Sequence, residues 1–175
     1  MSRIDTGKGW NVLIDAILEL RLSGDFAGKR VLFVGYGEQA EMLNEKINDL
    51  DLSDCCYYLG PKTHRELSEL YNQADIMIFP TMLYESLGLV GIEAMACGCP
   101  VIGSDIGCLP EYIKEGITGF LFEPGNSHEL AERIVDFYKL TEKQRNTMRL
   151  EAIRYVDKYE SRKISQALIN KIKEI

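Results

Sequence analysis

The strongest constraint on the fold is a regular alternation. Short runs of continuous apolar residues, Val31–Val34, Cys55–Leu59, Asp75–Phe79 and Val101–Ile102, are separated by longer segments with helical spacing. Strands that are apolar at successive positions are buried on both faces, unlike the half-polar strands of an open antiparallel sheet. Strand, helix and strand in turn, with buried strands, imply right-handed crossovers and a parallel sheet. The expectation is therefore an α/β fold, a doubly wound parallel sheet.

Helices are expected from about Trp10 to Leu22, Glu38 to Leu50, Arg65 to Gln73, Gly88 to Cys97 and Glu129 to Tyr138. Two more are expected between Glu142 and Ile175. Val12, Leu13, Ala16, Ile17 and Leu20 give the first an apolar face. Thr63 with Glu66 has capping-box spacing, and Ser127 stands where a cap is expected before Glu129. Phe120–Phe122 is a last short strand. Almost no strand precedes the loop Ser2–Gly9, although a domain of this kind is expected to open with one. Residues 1–160 are read as one nucleotide-binding domain and residues 161–175 as a terminal helix.

In open parallel sheets ligands bind at the carboxyl ends of the strands. Gly35–Gly37, Gly60–Lys62, Pro80–Gly88 and Gly103–Pro110 all fall at such ends. The segment from Gly88 to Cys97 is apolar on almost every side, so it is expected to be buried all round, yet it carries Glu93. A buried carboxylate without a partner costs several kcal/mol or more, on the order given for polar burial. Glu93 is therefore either paired within the fold or turned to a cleft that holds a polar ligand. Glu85 stands eight residues earlier, in the loop that opens the helix. Helical side chains tilt toward the N-terminus, so Glu93 would point toward the pocket Glu85 borders. Two carboxylates so placed suit the hydroxyls of one ligand. A paired Glu93 and a solvated Glu85 is the alternative.

Arg3 and Lys8 flank a glycine-containing loop before the first helix. They are either two solvated cations or a clamp on a diphosphate, whose oxygens also suit the free N–H groups of a helix N-terminus. Gly35-Tyr36-Gly37 resembles the start of a dinucleotide fingerprint, but Ala40 stands where the third glycine belongs.

The formal net charge of -7 argues against a general nucleic-acid binder. No apolar run approaches the length of a membrane span, and the first residues lack the apolar core of a signal peptide. An odd number of cysteines (Cys55, Cys56, Cys97, Cys99 and Cys108) suits reduced thiols in the cytoplasm. Cys97-x-Cys99 alone does not make a metal site, and no metal ligand set is expected.

Several motifs then converge. Arg3-x4-Lys8-Gly9, Gly35-x-Gly37, Leu59-Gly60 and Ala74-Asp75 lead to Pro80-x4-Glu85-x2-Gly88-x4-Glu93-Ala-Met-Ala-x-Gly98-x-Pro100. Gly107-x3-Glu111 and Gly116-x2-Gly119-Phe-Leu follow. Together these resemble the family 4 glycosyltransferases, retaining enzymes of the two-domain GT-B fold, over nearly the whole chain. The resemblance is to their C-terminal, Rossmann-like, donor-binding domain. It implies that Arg3 and Lys8 hold the diphosphate, Glu93 the ribose hydroxyls and Glu85 the donor sugar. It implies that Ser86, Leu87, Gly88 and Leu89 offer backbone groups to sugar and phosphates. Gly35 would border the nucleotide, and Gly60, Pro61 and Lys62 would run beside the base.

The chain departs from the family at Ser86-Leu87, often Gly-Phe, and at Gly107-Cys108, often Gly-Gly. Both lie at the rim of the sugar pocket. The implied donor is a nucleoside diphosphate sugar, UDP- or GDP-linked, with no cofactor and no metal. The implied partner is an N-terminal acceptor domain onto which residues 161–175 would cross, in a cytoplasmic protein with possible association to the inner membrane face. Polysaccharide biosynthesis is the expected setting, and the isolated domain is expected to be inactive. A sugar-nucleotide epimerase, a glycosyl phosphorylase and a non-catalytic nucleotide-binding module remain the alternatives.

Overall fold

The structure is a computed structural model and describes residues 2–159. The chain opens with β1 (Ser2–Arg3), a 3-10 turn (Thr6–Lys8), α1 (Trp10–Ser23), β2 (Val31–Phe33) and β3 (Gly35–Tyr36). α2 (Ala40–Asp49), β4 (Cys56–Tyr58), α3 (His64–Gln73) and β5 (Met77–Phe79) follow. The rest comprises α4 (Leu89–Ala96), β6 (Val101–Ser104), α5 (Leu109–Tyr112), β7 (Gly119–Phe122), α6 (Ser127–Lys139) and α7 (Glu142–Val156). The expected strands and helices are present, with bounds moved by a residue or two. The terminal helix expected over residues 161–175 lies outside the described residues.

Every ladder is parallel: β1 on β3, β2 on β4, and β5-β6-β7. The ladders do not join into one continuous sheet. Among the described residues no ladder links β2 to β5, and a slot of about 590 Å³ runs between them. The apolar core falls into two clusters, the larger of which spans both sides of the slot. A larger cluster lies where α1 packs on α6 over β2 and β7, and a smaller one lies under α4, α5 and α7.

Local chemistry sets the helix ends. The Thr63 hydroxyl accepts from the Glu66 N–H at 3.3 Å, and the Thr63 N–H donates to the Glu66 carboxylate at 2.8 Å, as the capping box requires. α6 corrects the expected cap. Asn126, not Ser127, accepts from the Glu129 N–H, at 3.0 Å, and the helix starts at Ser127, two residues sooner than expected. α5 is an addition: a single turn inside a stretch read as loop. α4 is also a correction, since Leu89 is 59% exposed and Ala96 lies at the surface. The helix is buried on its inner side only, where Gly91 leaves room for the Tyr112 ring: a Cβ there would come within 2.6 Å of the Tyr112 hydroxyl.

All five cysteines are free thiols. Among the described residues no cluster of three potential metal ligands occurs, and no helix is long and apolar enough to cross a membrane.

Candidate functional site

Two loops meet at the carboxyl end of β5. The Met82 N–H donates to the Gly7 carbonyl at 2.9 Å. Gly9 takes a left-handed conformation (φ 69°), and a Cβ on it would lie 1.7 Å from the Pro80 carbonyl oxygen. Only glycine permits this approach of backbone to backbone. α1 and α4 start directly after these loops, each from a left-handed glycine, Gly9 or Gly88, and neither has a side-chain cap. By contrast α3, α6 and α7 are capped by Thr63, Asn126 and Thr141. α2 and α5 lack a side-chain cap too; a helix N-terminus without a cap favours an anion.

Lys8 and Glu85, which are 77 positions apart, form an ion pair between Lys8 Nζ and Glu85 Oε1 at 2.5 Å. Their side chains are only 17% and 18% exposed. The fully buried Thr81 hydroxyl donates to the same Oε1 at 3.1 Å and accepts from the Leu83 N–H at 3.2 Å. The backbone of the loop is fastened as well. The Glu85 carbonyl accepts from the Cys108 N–H at 3.0 Å, and Gly107 gives the approach, since a Cβ there would sit 2.5 Å from that carbonyl oxygen. At the loop's end the Tyr112 hydroxyl donates to the Gly88 carbonyl at 3.2 Å. Burial pushes the Tyr112 phenol far above its ordinary range, so it stays a neutral donor.

The remaining residues stand apart to different degrees. Arg3 is 62% exposed, with its guanidinium 3.3 Å from Asp5, and no ion pair joins it to the Lys8–Glu85 pair. Glu93 is half-buried on α4. It lies near Tyr71 of α3, whose phenol is raised first by burial and then by the Glu93 charge. Gly35 and the Gly60 turn are joined, since the Gly35 N–H donates to the Gly60 carbonyl at 3.1 Å. Pro61 is exposed and Lys62 half-buried. Gly88 is buried, whereas Ser86, Leu87 and Leu89 face outward. The structure therefore brings together Lys8, Glu85 and the Gly88 loop, and separately Gly35 and Gly60.

Thr81 and Tyr112 are the site residues that the sequence reading missed. Thr81 carries one weak signal, a hydroxyl between the strand-ending Pro80 and Glu85. Tyr112 carries none, because only the folded chain brings α5 over Gly88. One cation, one carboxylate and two uncapped helix N-termini can bind a phosphorylated ligand that also carries hydroxyls.

Fold and site together define a parallel α/β domain whose polar loops gather at one end of its strands. Residues 1–154 match the family Glycosyl transferases group 1, and the chain belongs to that family. It is 35% identical over 117 residues to the N-acetyl-alpha-D-glucosaminyl L-malate synthase of Bacillus anthracis, covering 67% of this chain and 30% of that one. It is 32% identical over 136 residues to the amylovoran biosynthesis glycosyltransferase AmsK of Erwinia amylovora, covering 75% and 33%. Among solved structures it resembles Anabaena Alr3699/HepE in complex with UDP, with a TM-score of 0.87 and 26% identity. That likeness covers 100% of this chain and 48% of the other. The same protein in complex with UDP-glucose gives a TM-score of 0.85 at 26% identity. The chain thus spans about a third of the length of these two curated relatives and about half of the solved one.

Proposed function

We propose that this chain is the donor-binding domain of a family 4, retaining glycosyltransferase whose donor is a UDP-linked sugar. The observation that carries the reading is the Lys8–Glu85–Thr81 cluster set between two uncapped helix N-termini. Lys8, with Arg3, neutralises the diphosphate as it leaves, and backbone N–H groups at Gly88 and Leu89 share that charge. Fixed donors aimed at developing charge are a large source of transition-state stabilisation. Glu85 takes hydroxyls of the donor sugar. Glu93, a turn and a half into α4, takes those of the ribose. Gly35 and the Gly60–Lys62 loop border the nucleoside. Without ligand, Lys8 and Glu85 satisfy each other. With ligand, Lys8 turns to phosphate and Glu85 to sugar, so the pair exchanges one set of partners for another without stranding a charge. The acceptor is held by a second domain. The likeness to a structure solved with UDP and with UDP-glucose supports the choice of base.

Titration calorimetry of the chain with UDP, GDP and ADP tests this. Weak binding of UDP is expected, with GDP and ADP weaker. No heat from any of the three at millimolar ligand overturns the reading. Lys8→Ala is expected to weaken UDP binding by roughly 10- to 150-fold and leave uridine binding unchanged, since a charge-assisted hydrogen bond contributes about 1.5–3 kcal/mol. Equal losses for uridine and UDP would show that Lys8 does not act through the phosphates.

A further inference from the structure

A second chain of polar side chains runs beside the Lys8–Glu85 pair. Trp10, the first residue of α1, is buried, and its indole N–H donates to Gln39 Oε1 at 2.8 Å. Gln39 Nε2 lies 2.6 Å from the Thr6 hydroxyl oxygen. The direction of each bond is forced. An indole nitrogen only donates, so the Gln39 oxygen faces Trp10. The Gln39 nitrogen is then turned to Thr6, and an amide nitrogen does not accept, so the Thr6 oxygen accepts from it. The Thr6 hydroxyl proton is left pointing away from Gln39, on an exposed side chain, and among the described residues no acceptor meets it. The backbone holds Thr6 in this place. The Gln39 N–H donates to the Ile4 carbonyl at 3.2 Å, and the Ile4 N–H donates to the Tyr36 carbonyl at 2.8 Å. A Cβ on Gly37 would lie 2.2 Å from that Ile4 oxygen, so the two turns approach closely because Gly37 has none. The other side of the Thr6–Lys8 turn is occupied, since a Cβ on Gly7 would meet the Leu83 side chain at 2.7 Å.

We infer that Thr6 is a further phosphate-binding residue of this site: its hydroxyl, aimed by Trp10 through Gln39, donates to an oxygen of the ligand's diphosphate. The inference rests on the donor reading above and adds a residue to it. Thr6 stands where the Ser2–Gly9 turn meets the Gly35–Gly37 turn, two residues before Lys8, so it faces the same ligand. Arg3 and Lys8 bring charge to the diphosphate, whereas Thr6 brings a donor whose direction is set before the ligand arrives. A diphosphate offers only acceptors along its bridging and terminal oxygens, which matches a hydroxyl that has only its proton left to give. A donor fixed in advance needs no rearrangement as charge develops on the leaving group. Each bond in the chain from Trp10 to Gln39 to Thr6 also polarises the next. Gln39 and Trp10 are positioning residues and act on the ligand through Thr6.

Titration calorimetry with UDP and with uridine tests this on the full chain. Thr6→Val keeps the shape and removes the hydroxyl. UDP binding is expected to fall roughly tenfold, the lower end for a hydrogen bond to a charged group, with uridine binding unchanged. Thr6→Ser should bind UDP as the native chain does. Gln39→Glu separates aiming from mere holding. Its carboxylate still accepts from Trp10 and now accepts from Thr6 as well, so the turn stays fastened while the hydroxyl proton is drawn inward. Its cost in UDP binding should be several-fold larger in the native chain than in Thr6→Val, where only the added charge can act. Equal cost in the two backgrounds overturns the inference, as do equal losses of UDP and uridine in Thr6→Val. Trp10 is the chain's one tryptophan, so its indole N–H gives a single NMR peak that reports on the Trp10–Gln39 bond. That peak is expected to stay in place in Thr6→Val. A displaced peak together with weakened UDP binding assigns the loss to the turn and overturns the inference. UDP binding unchanged in Thr6→Val but weakened in Lys8→Ala overturns this inference alone and leaves the donor reading standing. No UDP binding by the native chain removes both.

Discussion

All four residues of β6 are buried, between β5 and β7. The middle residue of β2, Leu32, is 47% exposed, with a partner strand on one side only. The difference reaches the site. Glu85 belongs to the completed half, and its loop is fastened by Thr81, Cys108 and Tyr112, all from that half. Arg3 belongs to the open half and, among the described residues, its ion pair is with Asp5. The Glu85 end of the site is thus preorganised by packing, while the Arg3 end hangs on the seam between the halves. That seam includes the Gly9–Pro80 approach, the Met82–Gly7 hydrogen bond, the Lys8–Glu85 pair and the packing of α1 on α6.

The largest effect is expected where the seam is tightest. Gly9→Ala places a Cβ against the Pro80 carbonyl, in a left-handed conformation that itself costs about 1–2 kcal/mol for a non-glycine residue. Moving two backbones apart adds about 1–3 kcal/mol, the cost of overpacking. A loss of about 3 kcal/mol or more in urea unfolding is expected. Gly24→Ala is the matching control, since Gly24 is also left-handed but has nothing within 4 Å of the added Cβ. It should lose only the conformational part. Equal losses for the two would show that the Gly9–Pro80 approach does not hold the halves together.

The completed half was the more legible in sequence. The Glu85-x7-Glu93 spacing and the buried run of β6 follow from local pattern, because β6 has a parallel neighbour on each side. The capping box at Thr63 was equally local. Asn126 and Ser127 are both good caps in adjacent positions, so pattern alone did not choose between them. Nothing local in the sequence told that β2 and β5 would stay apart. The Lys8–Glu85 pair was hidden for another reason. Each residue was assigned to a ligand group, and a contact across 77 positions depends on how the Gly7 and Pro80 loops fold onto each other.

Thr81 sharpens the comparison within the completed half. Thr81→Val keeps the shape but removes the hydroxyl that donates to Glu85 and accepts from the Leu83 N–H. A buried donor left without a partner costs about 1–3 kcal/mol, so a loss of about 2 kcal/mol is expected. Thr81→Ser retains the hydroxyl and should recover most of the nucleotide-sugar affinity that Thr81→Val loses. Sugar-nucleotide affinity left intact by Thr81→Val, with stability lowered, would mean that the hydroxyl holds the loop without positioning Glu85.

The smallest effect belongs to the far end of the seam, where His128 of α6 meets Glu19 of α1 at 2.6 Å, with Glu132 at 3.8 Å. The hydrogen bond and charge of Glu19, then the charge of Glu132, raise the His128 pKa above its ordinary value of 6.5. The sign follows from linkage. The folded chain holds this proton more tightly than the unfolded one, so the stabilisation is complete below pH 6.5 and fades as pH rises through the raised value. His128 is exposed, and solvent screens the pair, so the change is small. Unfolding of the chain and of His128→Gln is compared at about pH 5.5 and about pH 8.5, on either side of the histidine range. The native chain should be the more stable at the lower pH, and the gap should close at the higher one. A gap that stays constant, or widens with pH, would remove the ion pair from the seam and leave α1 and α6 joined by apolar packing alone.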